Sequence, residues 1–155
     1  PENSNPTLQK GMIERLHLFA HQKAYFSQIN YCTWKCISTN KEFTSDENYS
    51  ITLVSGIANP KPLVRQLEKK GYTITQITFK DHHSYTNYDA QKILGKYNAD
   101  KSVKKLILTT EKDATKLREL LAHFEDANFY YIPIDIAFSE QEIFDRQILN
   151  YVAKN

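Results

Sequence analysis

The spacing of apolar residues predicts an N-terminal helix followed by an extended segment. Asn5 can cap a helix that has Pro6 at its first position, because proline lacks the donor that this position leaves unpaired. The apolar residues of this helix recur at helical spacing: Leu8, Met12, Ile13, Leu16 and Phe19. From Tyr25 to Ile37, β-branched and aromatic residues are interspersed with polar ones, which favours a strand or hairpin arm. The polar stretch 38–48 is typical of a turn or linker.

Beyond Tyr49, short apolar strands alternate four times with amphipathic helices. The predicted strands cover residues 51–54, 73–79, 105–109 and 129–132. Polar residues at cap spacing predict the helix starts: Asn59 before Pro60, Thr86 with Asp89, Thr110 with Asp113, and Ser139 with Glu142. Such alternation implies a mainly parallel sheet covered on both faces. We therefore expect an α/β fold: a three-layer Rossmann-like sheet of about four strands, extended by the N-terminal helix and a hinge strand.

Composition describes an ordinary globular protein. The 155 residues are 41% hydrophobic and 25% charged with a net charge of +2, which gives no electrostatic case for nucleic-acid binding. No apolar run approaches a membrane span, and no signal peptide is recognisable. If Cys32 and Cys36 share a strand, they lie about 13 Å apart and cannot pair, so we expect reduced packing residues. The chain opens at Pro1 without a recognisable start, which predicts a fragment of a longer protein.

Three loops that follow predicted strands carry the candidate chemistry. In a parallel sheet these loops meet at the edge where open α/β sheets bind ligands. They contain Gly56 and Asn59; Asp81, His82 and His83; and Thr110, Glu111, Lys112 and Asp113. Helix N-termini in such loops suit phosphate. The edge therefore suits a phosphorylated ligand.

Each of these residues also has a structural interpretation. Gly56 can simply be a strand-to-helix turn, and Thr110 and Asp113 can be caps only. The Asp-His-His run is a sharper signal, since adjacent histidines after a strand have no packing role that requires them. An imidazole near pH 7 can transfer a proton or bind a charged group, with Asp81 fixing its tautomer. Neighbouring side chains point in different directions, so one histidine of the pair should do the work.

The sequence holds no G-x-x-x-x-G-K-[ST] phosphate loop, no G-x-S-x-G elbow and no zinc spacing. We therefore expect no metal site within it. An ATP-consuming reaction could not be built from these residues alone, so a nucleotide-binding half would have to lie elsewhere.

The ordered motifs resemble the C-terminal portion of the tetraacyldisaccharide 4'-kinase family, the lipid A 4'-kinases of Gram-negative bacteria. The matching segments are 55–60 (S-G-I-A-N-P), 79–83 (F-K-D-H-H), 109–116 (T-T-E-K-D-A-T-K) and 130–134 (Y-Y-I-P-I). Their order and spacing match over about residues 49–152, and Tyr25–Ile37 is similar to the hinge strand between the family's domains. Each motif alone would be weak, whereas the ordered set is specific.

The resemblance implies a cytoplasmic enzyme, peripheral at the inner membrane, that transfers the γ-phosphate of ATP to the 4'-hydroxyl of a lipid A disaccharide precursor. It implies catalytic residues at His82, which matches the family's D-H histidine, and at Asp81, which would orient it. Gly56, Asn59 and Thr110–Asp113 would bind substrate or phosphate, with no secure individual roles: Lys112 could pair with a phosphate, and Glu111 and Asp113 could fix the loop.

The resemblance also implies a division of the chain. Residues 1–24 would be the trailing helix of a missing P-loop kinase domain, 25–48 the hinge strand and linker, and 49–155 the C-terminal α/β domain. ATP and Mg²⁺ would be bound mainly by the missing domain and none by this fragment, which alone should be inactive.

Two other functions remain open. A metal-dependent phosphoesterase of the Asp-His-His class would share 81–83, but it needs further aspartates on neighbouring strands, and upstream there is only Asp46 in the linker. A non-catalytic module could use the same edge to hold a phosphorylated ligand. The apolar face of the first helix would also favour a homodimer of the fragment.

Overall fold

A computed structural model describes residues 5–45 and 47–154. In chain order the elements are α1 (Pro6–Leu16), β1 (Ser27–Tyr31), β2 (Lys35–Cys36), β3 (Ser50–Ser55), α2 (Lys61–Lys69), β4 (Thr73–Thr78), α3 (Asn87–Ala99), β5 (Lys105–Thr110), α4 (Glu111–Leu117), a 3₁₀ helix (Arg118–Phe124), β6 (Phe129–Ile132), β7 (Ile134–Phe138) and α5 (Gln141–Val152). They form two compact units. One consists of residues 5–31 with 134–154, and the other of residues 32–133.

The larger unit is built on a five-stranded sheet in the order β2-β6-β5-β3-β4. Strands β3, β4, β5 and β6 run parallel, and β2 joins β6 antiparallel. The expected α/β fold with a mainly parallel sheet is thus confirmed, and the four predicted parallel strands are present. The fifth strand comes from the segment Tyr25–Ile37, which the sequence pattern assigned to a single hinge arm.

Both faces of this sheet are buried. Along β3 and β5, neighbouring side chains point to opposite faces, yet Leu53 and Val54, like Ile107 and Leu108, are at most 1% exposed. One face packs against α3, α4 and the 3₁₀ helix, through a core cluster that includes Val54, Ile93, Ile107, Leu117 and Phe124. The buried face of α2, Leu63, Val64 and Leu67, is not part of that cluster. Helices therefore cover the sheet on two sides, as in a doubly wound fold.

Predicted helix caps are present at three of the five starts. Asn5 Oδ1 accepts from Thr7 N at 2.7 Å, and Thr86 with Asp89 forms a reciprocal capping box. Thr110 Oγ1 accepts from Asp113 N at 3.1 Å, which caps α4. Helix α2 begins one residue later than predicted, at Lys61, whose backbone N–H donates to Asn59 Oδ1 at 3.2 Å.

The predicted box of Ser139 with Glu142 is wrong. Ser139 N instead donates to Phe26 O at 3.0 Å, which continues the pairing of β1 with β7, and α5 starts after Glu140 without a side-chain cap. Strand β7 itself was not predicted. It begins directly after Pro133, where the sequence pattern showed only the end of an aromatic strand.

The smaller unit contains α1, the β1–β7 ribbon and α5, and neither helix has a buried residue. The exposed apolar face expected for α1 is confirmed, with Phe19 beyond its end also exposed. The helical spacing of Ile143, Phe144, Ile148 and Val152 predicts a packed face for α5. That prediction is wrong, since Ile143 is 46% exposed and Val152 66%. Phe144 alone is half-buried there, against Phe138 and Tyr25. This unit therefore presents apolar side chains on two helices.

The cysteines do not share a strand, so the separation of about 13 Å that a shared strand would give does not apply. Both are reduced, as expected, but the expected packing role is wrong for Cys32, which is exposed. The chain leaves β1 at Tyr31 and joins a different sheet at Lys35, which places Cys32 outside both strands. Cys32 is exposed, whereas Cys36 in β2 is half-buried. Neither cysteine forms a disulfide.

Helix α4 is also shorter than its apolar stripe predicted. The helical spacing of Ala114, Leu117, Leu120, Leu121 and Phe124 predicts one continuous helix. In the structure the α-helix ends at Leu117, and the chain continues as the 3₁₀ helix. Arg118, the first residue of the 3₁₀ helix, contacts the turn after β2, where its Nη2 donates to Asn40 Oδ1 at 3.0 Å.

Candidate functional site

The strand order brings two of the three candidate loops together. The chain passes from β3 outward to β4 and then returns to β5 on the other side of β3, so the direction of winding changes between β3 and β5. At such a switch point the loops after the two strands diverge to opposite faces and leave a crevice at the carboxyl edge. The loop with Gly56 and the start of α4 at Glu111 lie at this point.

Asp113 joins these two loops. Its Oδ2 accepts hydrogen bonds from Gly56 N at 2.9 Å and from Thr110 Oγ1 at 2.7 Å, and its side chain is buried, with the residue 1% exposed. A buried carboxylate that accepts two hydrogen bonds holds both partners firmly, because breaking either bond would leave charge without compensation. Gly56, Thr110 and Asp113 are thus brought together, as a buried cluster beneath the edge.

The space around Gly56 is closed by two polar atoms. A Cβ placed on this glycine would lie 2.9 Å from Asp113 Oδ1 and 3.1 Å from Tyr85 Oη. Within the described part of the chain, these same two atoms are buried without a hydrogen-bond partner. Burial, and next the negative charge of Asp113, raise the pKa of Tyr85, so it remains a neutral phenol. The sequence offered no signal for Tyr85, which reaches this cluster from the loop after β4.

Asp81, His82 and Lys112 form a second, exposed cluster above the first. Lys112 Nζ donates to Asp81 Oδ1 at 2.6 Å, and the same oxygen accepts from His82 N at 3.0 Å. Asp81 Oδ2 lies 3.7 Å from His82 Nε2. The hydrogen bond from Lys112 lowers the pKa of Asp81 below its ordinary value, so the carboxyl group is ionised at neutral pH.

The His82 side chain is the most accessible group of this cluster, at 81% exposed. Its backbone has φ +60°, in the left-handed region that non-glycine residues seldom adopt. Such a conformation costs energy, and it persists because the residues on either side are fixed. The loop therefore turns the imidazole out of the sheet edge, where it can meet a ligand.

His83 has a different environment, which corrects the expectation that the histidine pair has no packing role. Its Nε2 lies 3.0 Å from Asp89 Oδ2, and its ring stacks on Phe79 with the centroids 4.6 Å apart. Its carbonyl oxygen accepts from Lys116 Nζ at 2.7 Å. As expected, the two histidines face different groups: His83 anchors the loop and His82 is presented by it.

Two of the predicted site residues, Asn59 and Glu111, belong to neither cluster. Asn59 is exposed, and its recorded bond is the local one to Lys61 N. Glu111 is exposed at the first position of α4. Lys116 is the last residue of the T-E-K-D-A-T-K motif. Its spacing of four from Lys112 places both lysines on one face of α4.

Among residues 5–45 and 47–154, no group of three or more His, Cys, Asp or Glu side chains is arranged to hold a metal ion. Asp46, the extra aspartate considered for a phosphoesterase, lies outside the described residues. None of the helices in residues 5–45 and 47–154 is long and apolar enough to cross a membrane.

Fold and site together define a doubly wound α/β domain with polar loops, including one exposed imidazole–carboxylate pair, at the carboxyl edge of a parallel sheet. Residues 4–153 match the family described as Tetraacyldisaccharide-1-P 4'-kinase. This chain belongs to that family.

Individual relatives agree with this assignment. The tetraacyldisaccharide 4'-kinase of Bacteroides thetaiotaomicron is 32% identical over 170 residues, which cover 100% of this chain and 45% of the relative. That of Cytophaga hutchinsonii is 42% identical over 130 residues, 80% of this chain and 35% of the relative. The chain thus spans less than half the length of these curated relatives.

A solved structure has a similar fold. The crystal structure of LpxK from Aquifex aeolicus in complex with ATP superposes with a TM-score of 0.53 and 17% sequence identity, covering 90% of this chain and 39% of that one. At this identity the likeness concerns the fold alone.

Proposed function

We propose that this chain is the C-terminal part of a kinase that transfers the γ-phosphate of ATP to the 4'-hydroxyl of a tetraacyldisaccharide 1-phosphate. Family membership supports the reaction. The single observation that carries the site is His82, an exposed imidazole beside the Asp81 carboxylate at the carboxyl edge of the sheet. The lipid A precursor is accordingly the proposed partner.

His82 serves as the proton acceptor in this proposal. As the sugar hydroxyl forms a bond to the γ-phosphorus, the bond from that phosphorus to the β,γ-bridging oxygen breaks and ADP leaves. The hydroxyl proton passes to the imidazole, directly or through a carboxylate of the nucleotide-binding domain. Phosphoryl transfer depends mainly on positioning and charge stabilisation, so a loop that presents one imidazole is a sufficient contribution.

The described residues do not fit Mg²⁺ or the phosphates of ATP as a site of their own. The Asp113 carboxylate is buried and bound to Gly56 N, and the Asp81 carboxylate is paired with Lys112. A hard cation prefers several free oxygen ligands, which this edge does not gather. We infer that ATP and Mg²⁺ are bound mainly by a nucleotide-binding domain of the longer protein, and this chain alone would lack kinase activity.

The buried cluster has a supporting role in this proposal. Because Asp113 holds Gly56 N and Thr110 Oγ1, these three residues fix the two loops at the switch point rather than contact the substrate. Asn59 and Glu111 are exposed on the same loops and remain candidates to contact substrate or phosphate. The unit of residues 32–133 would act as a lid that positions the acceptor.

The smaller unit supplies the link to the rest of the longer protein. Residues 1–24 are proposed to belong to the nucleotide-binding domain and residues 25–48 to the hinge and linker, with 49–155 as the C-terminal domain. The unit's exposed apolar residues, among them Leu16, Phe19, Leu149 and Val152, would be covered there, or by a second copy of the isolated chain. The full protein is proposed to be cytoplasmic and peripheral at the inner membrane.

The test is steady-state phosphate transfer from ATP to a tetraacyldisaccharide 1-phosphate, with the longer protein that carries this chain. His82→Ala should lower kcat by about 10²–10⁴-fold, the usual contribution of general acid–base assistance. The control is His123→Ala, since the His123 ring bonds to Asn87 at 3.0 Å and belongs to neither cluster. If His82→Ala keeps wild-type turnover, His82 has no part in the chemistry. A wild-type protein that transfers no phosphate would refute the family activity for this chain.

A further inference from the structure

The loop that carries His82 is held by two lysines from one face of α4. Lys112 Nζ binds the Asp81 carboxylate at 2.6 Å, and Lys116 Nζ binds the His83 carbonyl at 2.7 Å. Residues four apart on a helix lie one above the other, so one face of α4 binds the loop on both sides of His82. Helix α4 is itself fixed at its start by the buried Asp113.

Lys112 differs from Lys116 because its partner is a functional side chain. Both Lys112 Nζ and His82 N bind the same oxygen, Asp81 Oδ1. The second oxygen, Oδ2, is left facing the His82 imidazole, 3.7 Å from its Nε2. The bond from Lys112 therefore sets which way the carboxylate is turned, and it also compensates the negative charge next to the imidazole.

We propose that Lys112 is a positioning residue for phosphoryl transfer: it fixes the orientation of Asp81 toward His82 and limits how strongly that carboxylate favours the imidazolium form. The proposal rests on the function proposed above. It replaces the expectation that Lys112 pairs with a phosphate of the substrate or nucleotide, since its ammonium group is already engaged by Asp81.

The charged groups around the His82 imidazole allow the effect of Lys112 on its titration to be measured separately. On the loop itself the neighbour is Asp81, and from α4 it is Lys112. Two further ionisable groups at the loop have other partners: His83 contacts Asp89 of α3, and Lys116 binds the His83 carbonyl. A change in the titration of His82 after replacement of Lys112 would therefore report on the Lys112–Asp81 pair.

The first experiment is an NMR titration of the His82 imidazole in this 155-residue chain. Lys112→Met keeps the length of the side chain and removes its charge, so the uncompensated Asp81 should raise the titration midpoint by about 0.3–0.5 pH unit, the size expected for one nearby charge in water. Lys112→Arg should restore the wild-type midpoint. Lys96→Met, which removes an exposed lysine in the last turn of α3, is the matched control. Equal midpoints for Lys112→Met and Lys96→Met would overturn the proposal.

The second experiment uses the same variants in the longer kinase. Lys112→Met should lower kcat about 10-fold, the loss that corresponds to one charge-assisted hydrogen bond, with KM for ATP unchanged. The acid limb of the kcat profile should move to higher pH in parallel with the NMR midpoint, and Lys112→Arg should recover both. A rise in KM for ATP with unchanged kcat, or a loss of kcat with no movement of the acid limb, would overturn the positioning role. If the wild-type kinase transfers no phosphate, the proposed function fails, while the NMR titration still decides whether Lys112 controls the Asp81–His82 pair.

Discussion

Replacing Gly56 by alanine should destabilise the larger unit, because the new methyl group has no room. It would lie 2.9 Å from Asp113 Oδ1, 3.1 Å from Tyr85 Oη and 3.4 Å from Lys80 O. Asp113 cannot move aside freely, since it is buried and already binds Gly56 N and Thr110 Oγ1. Either the methyl group remains compressed or the hydrogen bond across the switch point is weakened.

The magnitude follows from these two costs. Overpacking a filled site costs about 1–3 kcal/mol, and weakening a buried hydrogen bond to a carboxylate adds roughly 1–2 kcal/mol. The lower chain entropy of alanine in the unfolded state offsets about 0.4–1 kcal/mol. Where both costs apply, we expect a net loss of about 1–4.6 kcal/mol in the free energy of unfolding, which lowers the urea midpoint by roughly 0.5–2 M.

Urea unfolding followed by fluorescence measures this change. The only tryptophan of the chain, Trp34, is 7% exposed and lies in the same unit as Gly56. Gly95→Ala is the matched control, because nothing lies within 4 Å of a Cβ at this position in the middle of α3, and alanine there should stabilise by about 0.5–1 kcal/mol.

A Gly56→Ala midpoint at or above that of the wild type would refute the crowding argument. Removing one of the crowding atoms provides a second check. Adding Tyr85→Phe to Gly56→Ala should recover part of the lost stability, since the Tyr85 hydroxyl is one of the two closest atoms.

Two further predictions concern ionisable groups. Burial raises the pKa of Asp89, but hydrogen bonds from His83 and Thr86 outweigh it and lower the pKa below 3.8. The ionised carboxylate therefore stabilises the fold above the unfolded pKa, and this stability is lost as pH falls through the lower folded pKa. Asp89→Asn should reduce the fall in the free energy of unfolding that is measured from pH 5 to 2. An unchanged pH dependence over this range would contradict the prediction. Burial likewise raises the pKa of Cys36, but hydrogen bonds led by that from Ser38 lower it to about 7. Alkylation of Cys36 by iodoacetamide, followed by mass spectrometry, should thus rise with a midpoint near pH 7, and Ser38→Ala should move this midpoint upward; no movement would assign the shift to other groups.

Local signals in the sequence predicted much of the larger unit. The alternation of apolar strands with capped helices predicted its four parallel strands and its α/β class. The caps at Thr86 and Thr110 were predicted correctly because each depends on residues three positions apart. Strand β7 and the absence of a cap at Ser139 were missed, since both depend on pairing with β1, more than 100 residues away. The packed face predicted for α5 failed for a related reason: an amphipathic pattern shows that a helix has an apolar side, not what covers it.

At the candidate site, local sequence patterns specified which loops carry polar side chains and, through the alternation of strands and helices, that these loops share one edge. It identified the chain's family through ordered motifs, and it singled out His82 and Asp81. The folded chain divides these residues into separate groups: Asp113 is buried with Gly56, Lys112 pairs with Asp81, and Asp89 anchors His83 while His82 is exposed. These contacts join residues 6, 31 and 57 positions apart at hydrogen-bond distances. Strand order and helix position set such distances, and no local pattern in the sequence encodes them.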